Sequence, residues 1–139
     1  MSPTTSRDRF TTTTPSGNQE PVFDACALTV AAGAGLVGRE TTMQAPALKN
    51  LIVQGITHHG FSFIEVISDC TEIFGRKNDL GSSPEMILRQ KAEIRPESYG
   101  GSKDRPFQPG PWKTGVLARG DNPEYLDAWR RHNSEMESG

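Results

Sequence analysis

The sequence predicts an α/β fold: a partial parallel sheet flanked by helices, with a loop-rich C-terminal extension. Its middle third alternates between helical and strand patterns joined by short connections, which is typical of β-α-β units. The strand predicted within residues 61–68 is mostly apolar on both faces, as in strands that helices cover on both sides. Ten prolines and fourteen glycines among 139 residues indicate many loops around this core.

Residues 1–22 are predicted to form an extended N-terminal segment. They are rich in Thr, Ser and Pro and show no periodicity, so a flexible tail is one interpretation. A segment that pairs with some other surface is the alternative. The α/β core is then expected over residues 23–81, and residues 82–139 form the C-terminal extension.

The core is predicted to begin with a short helix in DACALTVAAGAG. Asp24 suits its N-cap, and Gly33 and Gly35 would end it. LVGRE follows as a short buried strand. The next helix has Pro46 in its first turn and ends at Gly60. Its apolar residues at helical spacing are Leu48, Leu51, Ile52 and Ile56. FSFIEVIS then reads as a central strand of the parallel sheet.

The extension is predicted to begin with a helix in SSPEMILRQKAEI, capped by Ser83. Residues 95–112 are irregular and expected to wrap another surface. TGVLAR is interpreted as an edge strand, and a terminal helix follows, capped by Asn122 with Pro123 at its first position. Because so small an open sheet exposes backbone groups and apolar faces, we expect the chain to be part of something larger.

Composition excludes several functional classes. The hydrophobic share is 34%, below the roughly 45% usual in globular domains, so the core must be small. A net charge of −2 shows no basic excess for nucleic acid. No apolar run reaches the length of about 18 residues that spans a membrane, and the N-terminus lacks the apolar stretch of a secretory signal. We therefore expect no nucleic-acid or membrane partner, and a cytoplasmic chain with reduced thiols.

Cys70 is the candidate functional residue, because it stands where the predicted strand opens into a loop. Ligands in open α/β sheets collect at the carboxyl ends of strands. A thiolate there can bind a metal or cluster, or attack a substrate. A small buried residue that fills space is the alternative. The other cysteine, Cys26, lies among apolar residues of a helix and is expected to be structural.

Other polar residues give weaker indications. His58 and His59 end a predicted helix, where capping is the simple interpretation. Arg76 and Lys77 could hold an anionic ligand or could lie in a solvated loop. No GxGxxG, Walker A or GxSxG motif is present.

Several segments together carry a resemblance to a known family. SPTT, TPSGNQEPVFD, LTVAAGAGLVGRE and HHGFSFIEVISDCTEIFGRKN occur in the order found in the beta subunit of 2-oxoacid:ferredoxin oxidoreductases. FGRKNDLGSSPEM and TGVLARGDNPEYLDAW also fit the branch of 2-oxoglutarate synthases. Nearly the whole chain resembles the C-terminal half of such a subunit, and hence of a thiamine diphosphate-binding fold.

The resemblance implies a function and a set of cofactors. The family carries out CoA-dependent oxidative decarboxylation of a 2-oxoacid and transfers electrons to ferredoxin through an iron–sulfur cluster. Its beta subunit binds thiamine diphosphate, magnesium and a four-iron four-sulfur cluster. The position of Cys70 matches the fourth cluster ligand, with Asp69 where the family commonly has proline.

Some motifs of the family are not found in this sequence. The family's Gly-Asp-Gly motif and its other three cluster cysteines lie upstream of the segment that matches SPTT. We therefore expect no catalytic or thiamine-binding residue in this chain, no activity from the chain alone, and no cofactor bound by it alone. The implied partners are the missing N-terminal half, the alpha subunit and ferredoxin. The alternatives are a non-catalytic fragment that docks on a partner subunit and, less favoured, a stand-alone cysteine enzyme.

Overall fold

The structure, a computed structural model, describes residues 2–96, 112–122 and 124–137. The helices are α1 (Ala25–Ala31), α2 (Ala45–Thr57), α3 (Ser83–Glu93) and α4 (Tyr125–Glu137), with a 3₁₀ turn at Thr42–Gln44 and a π turn at Thr71–Gly75. The strands are β1 (Leu36–Thr41), β2 (Ser62–Ile67), β3 (Ile94–Pro96) and β4 (Trp112–Arg119). The predicted α/β fold is confirmed.

The described strands form one mixed sheet in the order β2-β1-β4-β3. β1 and β2 are parallel, with Leu36 opposite Ser62, so the predicted crossover through α2 is present. β4 runs antiparallel to β1 and parallel to β3. Two predicted strand positions are therefore wrong. FSFIEVIS lies at an edge of the sheet and TGVLAR lies inside it, because β4 from the extension takes the place beside β1.

The core is centred on β1, all six residues of which are buried. α2 packs on this strand through Leu51, directly over Gly38. A Cβ atom on Gly38 would lie 2.6 Å from Leu51 Cδ1, so glycine is required for this close packing. Only part of the predicted apolar face of α2 is buried, since Ile52 is 39% and Ile56 79% exposed.

Helix ends follow capping chemistry, with shifts from the predicted residues. Asp24 Oδ1 accepts a hydrogen bond from the Ala27 N–H at 3.0 Å and caps α1, as predicted. α2 ends at Thr57 and not at Gly60. α3 is capped by Ser82 and not Ser83, because Glu85 accepts hydrogen bonds from the N–H and hydroxyl of Ser82.

The start of α4 also differs from the prediction. Asn122 does not cap this helix; its side chain donates a hydrogen bond to the Gly33 carbonyl. The Glu124 carboxylate instead accepts from the Asp127 N–H at 3.2 Å. The expected first residue, Pro123, and most of the segment predicted to be irregular lie outside the described residues. No helix in the described part of the chain combines the length and apolarity needed to cross a bilayer.

Candidate functional site

A cavity of about 850 Å³ opens at the carboxyl end of β2. The N-terminal segment from Thr4 to Arg9 forms one wall, and the end of β2, the π turn and α3 also contribute to the lining. Cys70 lines this cavity and is exposed. The predicted candidate therefore lies at a strand end beside a cavity of ligand-binding size, and it does not fill space in the core.

The surroundings of Cys70 are ordered by hydrogen bonds. The Cys70 carbonyl accepts from the Gly75 N–H at 2.7 Å, which closes the π turn that follows the thiol. The carboxylate of Asp69 accepts a hydrogen bond from the Ser83 hydroxyl at 2.9 Å, at the start of α3. Asp69 thus joins the end of β2 to α3, which gives this residue a structural partner.

The thiols of this chain do not fit a complete iron–sulfur cluster, which requires four protein ligands. The chain has two cysteines, and Cys26 is buried under β1 with its sulfur 3.9 Å from the Gly38 carbonyl oxygen. Burial raises the pKa of the Cys26 thiol to about 12, although the nearby Arg39 guanidinium by itself lowers it. Cys26 is structural, as predicted, and Cys70 could supply one ligand of four. The described residues contain no group of three or more His, Cys, Asp or Glu side chains placed for a metal.

An ionic network centred on the buried Arg39 lies beside the cavity, and it was not predicted from the sequence. Arg39 of β1 is 5% exposed and donates hydrogen bonds to Asp24, at 2.9 Å, and to Glu65. Its guanidinium carbon also lies 5.1 Å from the ring centroid of Trp112, within cation–π range. The network joins α1, β1, β2 and β4, and its members Glu65 and Trp112 line the cavity.

The groups around Arg39 keep its side chain positively charged. Burial alone lowers the pKa of Arg39, but the thiol and the two carboxylates around it raise that pKa above its ordinary value. The guanidinium is therefore charged at every working pH. A buried arginine with two acidic partners could not be found from spacing, because the nearer acid is 15 residues away and the other 26.

The N-terminal wall of the cavity is held together by hydrogen bonds to Asn18, which is 3% exposed. Its side-chain amide donates to the Thr5 carbonyl at 2.8 Å, and its backbone exchanges hydrogen bonds with Asp8 and Arg9. Asn78, beyond the π turn, both accepts from the Phe10 N–H at 2.8 Å and donates to the Phe10 carbonyl at 2.9 Å. Of the two interpretations of this segment, pairing with another surface is the one these contacts support.

Replacing Asn78 with alanine should release the N-terminal wall. We expect the free energy of unfolding to fall by about 2 kcal/mol, because three hydrogen bonds are lost, two to Phe10 and one to the Phe74 carbonyl, and each contributes roughly 0.5–1.5 kcal/mol. Amide hydrogen exchange should accelerate at Phe10 while β1 stays protected. Lys77→Ala, an exposed neighbour, is the control. Equal protection at Phe10 in both variants would contradict the role of Asn78.

The other predicted polar residues lie away from the cavity. His58 is the C-cap residue of α2 with its ring against Gly35, and His59 Nε2 lies 3.5 Å from Asp127 Oδ2. Arg76 pairs with Glu72 on the surface at 2.7 Å. Neither Arg76 nor Lys77 lines the cavity. Among the described residues, the arginines that line it are Arg7, Arg9 and Arg89.

Curated relatives of the chain are subunits of one kind of enzyme. The chain is 44% identical over 91 residues to the 2-oxoglutarate synthase subunit KorB of Methanothermobacter marburgensis and 45% identical over 91 residues to that of Methanothermobacter thermautotrophicus. Each alignment covers 66% of this chain and 32% of the relative. KorB of Methanocaldococcus jannaschii is 41% identical over 87 residues. The chain thus spans about a third of the length of these relatives. No protein-family model matches it.

A solved structure supports the fold. The chain resembles the 2-oxoglutarate:ferredoxin oxidoreductase from Magnetococcus marinus, solved with 2-oxoglutarate, coenzyme A and succinyl-CoA bound, with a TM-score of 0.74. The match covers 98% of this chain and 47% of that one at 17% sequence identity, so it bears on the fold alone. Together with the curated relatives, it confirms the predicted resemblance to a beta subunit of the 2-oxoglutarate type.

Proposed function

We propose that this chain, similar over two thirds of its length to KorB subunits, is part of the beta subunit of a 2-oxoglutarate:ferredoxin oxidoreductase. The assembled enzyme would convert 2-oxoglutarate and CoA to an acyl-CoA, with release of carbon dioxide and transfer of electrons to ferredoxin. The observation that carries the proposal is the identity of 41–45% to those subunits. The exposed thiol of Cys70 at the end of β2 supports the proposal. We also propose a cytoplasmic location.

Cys70 is the residue of this chain that we assign to the cofactors. Its thiolate would be one of four ligands of an iron–sulfur cluster, whose chemistry is the transfer of single electrons. The other three ligands, and the residues that hold thiamine diphosphate and magnesium, are assigned to the partner that carries the Gly-Asp-Gly motif. This chain would then contribute the thiol of Cys70, which stands in a hydrogen-bonded segment at the end of β2.

The surface of the described residues supports assembly with further polypeptide. Among the described residues, seven hydrophobic residues are buried and fifteen large hydrophobic side chains are exposed, so much apolar surface is open to contact with another polypeptide. β2 lies at the edge of the described sheet with Val66 44% exposed. An apolar edge strand is a ready site for pairing with another chain.

A non-catalytic accessory fragment is the second candidate. It is favoured by one observation: the chain has a single accessible thiol, while a cluster needs four ligands. Such a fragment would dock on a partner subunit through the same apolar surface without completing a cluster. It should then associate with the partner without changing its iron content.

Co-expression with a chain that carries the Gly-Asp-Gly motif and three cluster cysteines tests both candidates. We expect co-purification, cluster absorbance and 2-oxoglutarate-dependent reduction of ferredoxin. Cys70→Ala should abolish the cluster absorbance and lower the iron content, whereas Cys26→Ala should leave both unchanged. Retention of iron by Cys70→Ala would refute the ligand assignment. Co-purification without a cluster in any combination would favour the accessory fragment.

A further inference from the structure

The terminal helix α4 presents an apolar face to solvent. None of its 13 residues, all of which the structure describes, is buried. Tyr125, Leu126, Trp129 and Met136 are exposed. An isolated helix of this length is marginal in water, because helices in proteins gain most of their stability by packing an apolar face. The apolar face of α4 therefore calls for a partner.

The opposite side of α4 is the side anchored to its own chain. Asp127 Oδ2 lies 3.5 Å from His59 Nε2, just after α2. At 3.6 residues per turn, Tyr125, Trp129 and Met136 lie on the side of the helix away from Asp127. The apolar face thus points away from this anchoring contact and is open to another molecule.

The spacing of this face matches the seam of paired helices. Tyr125, Trp129, His132 and Met136 follow one another at intervals of four, three and four residues. This is the alternation of a and d positions through which two helices pack side by side. A second helix with a similar face is therefore the partner that fits α4.

A second copy of α4 running antiparallel completes the seam. When Trp129 lies opposite His132 of the second copy, Tyr125 lies opposite that copy's Met136, and two-fold symmetry repeats both pairs. Pairs of aromatic rings and pairs of a ring with a thioether sulfur are both favourable. In a parallel dimer each residue would instead meet its own copy, so His132 would face His132, and the two helix dipoles would point the same way.

The charges of α4 favour a protein partner over a lipid surface. The helix carries three acids, Asp127, Glu135 and Glu137, and two arginines, Arg130 and Arg131. Helices that lie on membranes have polar faces rich in Lys and Arg, which attract anionic lipids. The slight acidic excess of α4 provides no such attraction.

We infer that two copies of this chain associate through α4, as an antiparallel pair of helices. The contact goes beyond the proposed function because it needs no cofactor, and α4 does not line the cavity beside Cys70. Aromatic side chains bury roughly 150–250 Å² each, so Tyr125 and Trp129 of two copies bury at most about 1,000 Å². Stable interfaces bury roughly 1,200–2,000 Å², so this dimer is weak and dissociates on dilution.

Sedimentation velocity of the full chain over a range of concentrations tests the contact. We expect a monomer–dimer equilibrium that shifts towards monomer on dilution. Trp129→Ala should raise the dissociation constant at least about tenfold, because each dimer loses two aromatic pairs. Leu88→Ala is the matched control, since Leu88 is an exposed apolar residue of α3, and it should associate as the wild type does. Circular dichroism checks that both variants remain folded.

Cysteine cross-linking tests the antiparallel direction, in a Cys70→Ser background that removes the exposed native thiol. A mixture of Tyr125→Cys chains and Met136→Cys chains should form a disulfide-linked dimer with oxidised glutathione. Either chain alone should not, because its two introduced thiols would stand roughly 16 Å apart along the helix axis, beyond the reach of a disulfide.

Three results would overturn the inference. One is a monomer at every concentration, whether or not α4 then binds another protein or lipid vesicles. Another is equal weakening by Trp129→Ala and Leu88→Ala, which would show unspecific aggregation. The third is efficient cross-linking of either cysteine variant alone, which would contradict the antiparallel pairing.

Discussion

Replacing Arg39 with leucine is expected to lower the free energy of unfolding by about 2–3 kcal/mol, below the roughly 3–5 kcal/mol of a fully buried ion pair, because the carboxylates of Asp24 and Glu65 are 28% and 20% exposed. Arg39 is 5% exposed and pairs with Asp24 and Glu65. Its removal leaves two carboxylates beside the core without a cation, and Trp112 loses its cation–π contact. Urea unfolding of the variant and the wild type, followed by circular dichroism, measures the difference.

A double substitution separates charge from packing. Replacing both Arg39 and Glu65 with leucine removes one of the two uncompensated carboxylates, and well-packed apolar pairs often equal the ion pairs that they replace. The double variant should therefore unfold at a higher urea concentration than Arg39→Leu alone. Arg76→Leu, which breaks an exposed pair with Glu72, should change stability by less than about 1 kcal/mol. If Arg39→Leu cost no more than this control, the network would contribute nothing to stability.

Gly38→Val should destabilise the chain by about 3 kcal/mol, the upper end of the usual cost of overpacking a core. Strand propensity alone predicts the opposite sign, because valine is favoured in strands and glycine is not. Packing decides the result here: a Cβ atom at Gly38 would lie 2.6 and 2.9 Å from the two terminal carbons of Leu51. Leu51 is 3% exposed and has little room to move.

Thermal or urea unfolding of three further variants completes this test. Gly120→Val is the matched control, because a Cβ atom there would meet no atom within 4 Å. Leu51→Ala destabilises the wild type by leaving a cavity, but in the Gly38→Val background it should cost less, since the new side chain fills part of that space. Additive effects of the two substitutions would show that Gly38 and Leu51 do not compete for the same volume.

Local sequence patterns predicted the helix starts, which depend on residues close together in the chain. Asp24 caps α1 because its carboxylate reaches an N–H three residues ahead, and Pro46 marks the first turn of α2. Strand order was predicted less well. FSFIEVIS is apolar enough for a central strand, yet it lies at the edge of the described sheet, because β4 and β3 extend that sheet from the far side of β1.

The candidate site was predicted only as far as one residue. Cys70 was found because a cysteine at a strand end is visible in the sequence. The network of Arg39 and the contact between Phe10 and Asn78 were not found, since the latter pair is 68 residues apart. A single sequence does not show which distant residues are in contact, because that requires covariation between positions. The available hint was the presence of charged residues inside predicted strands, such as Arg39 and Glu65.

The pairing of β1 with β4 has a consequence for synthesis of the chain. Leu36 lies opposite Arg119, so the central strand finds this neighbour only after 83 further residues have been made. At a translation rate of roughly 5–20 residues per second, β1 waits several seconds with one edge open. Contacts so distant along the chain also slow folding. The nascent chain therefore passes through a period in which chaperones or a co-translated partner would meet an exposed β1.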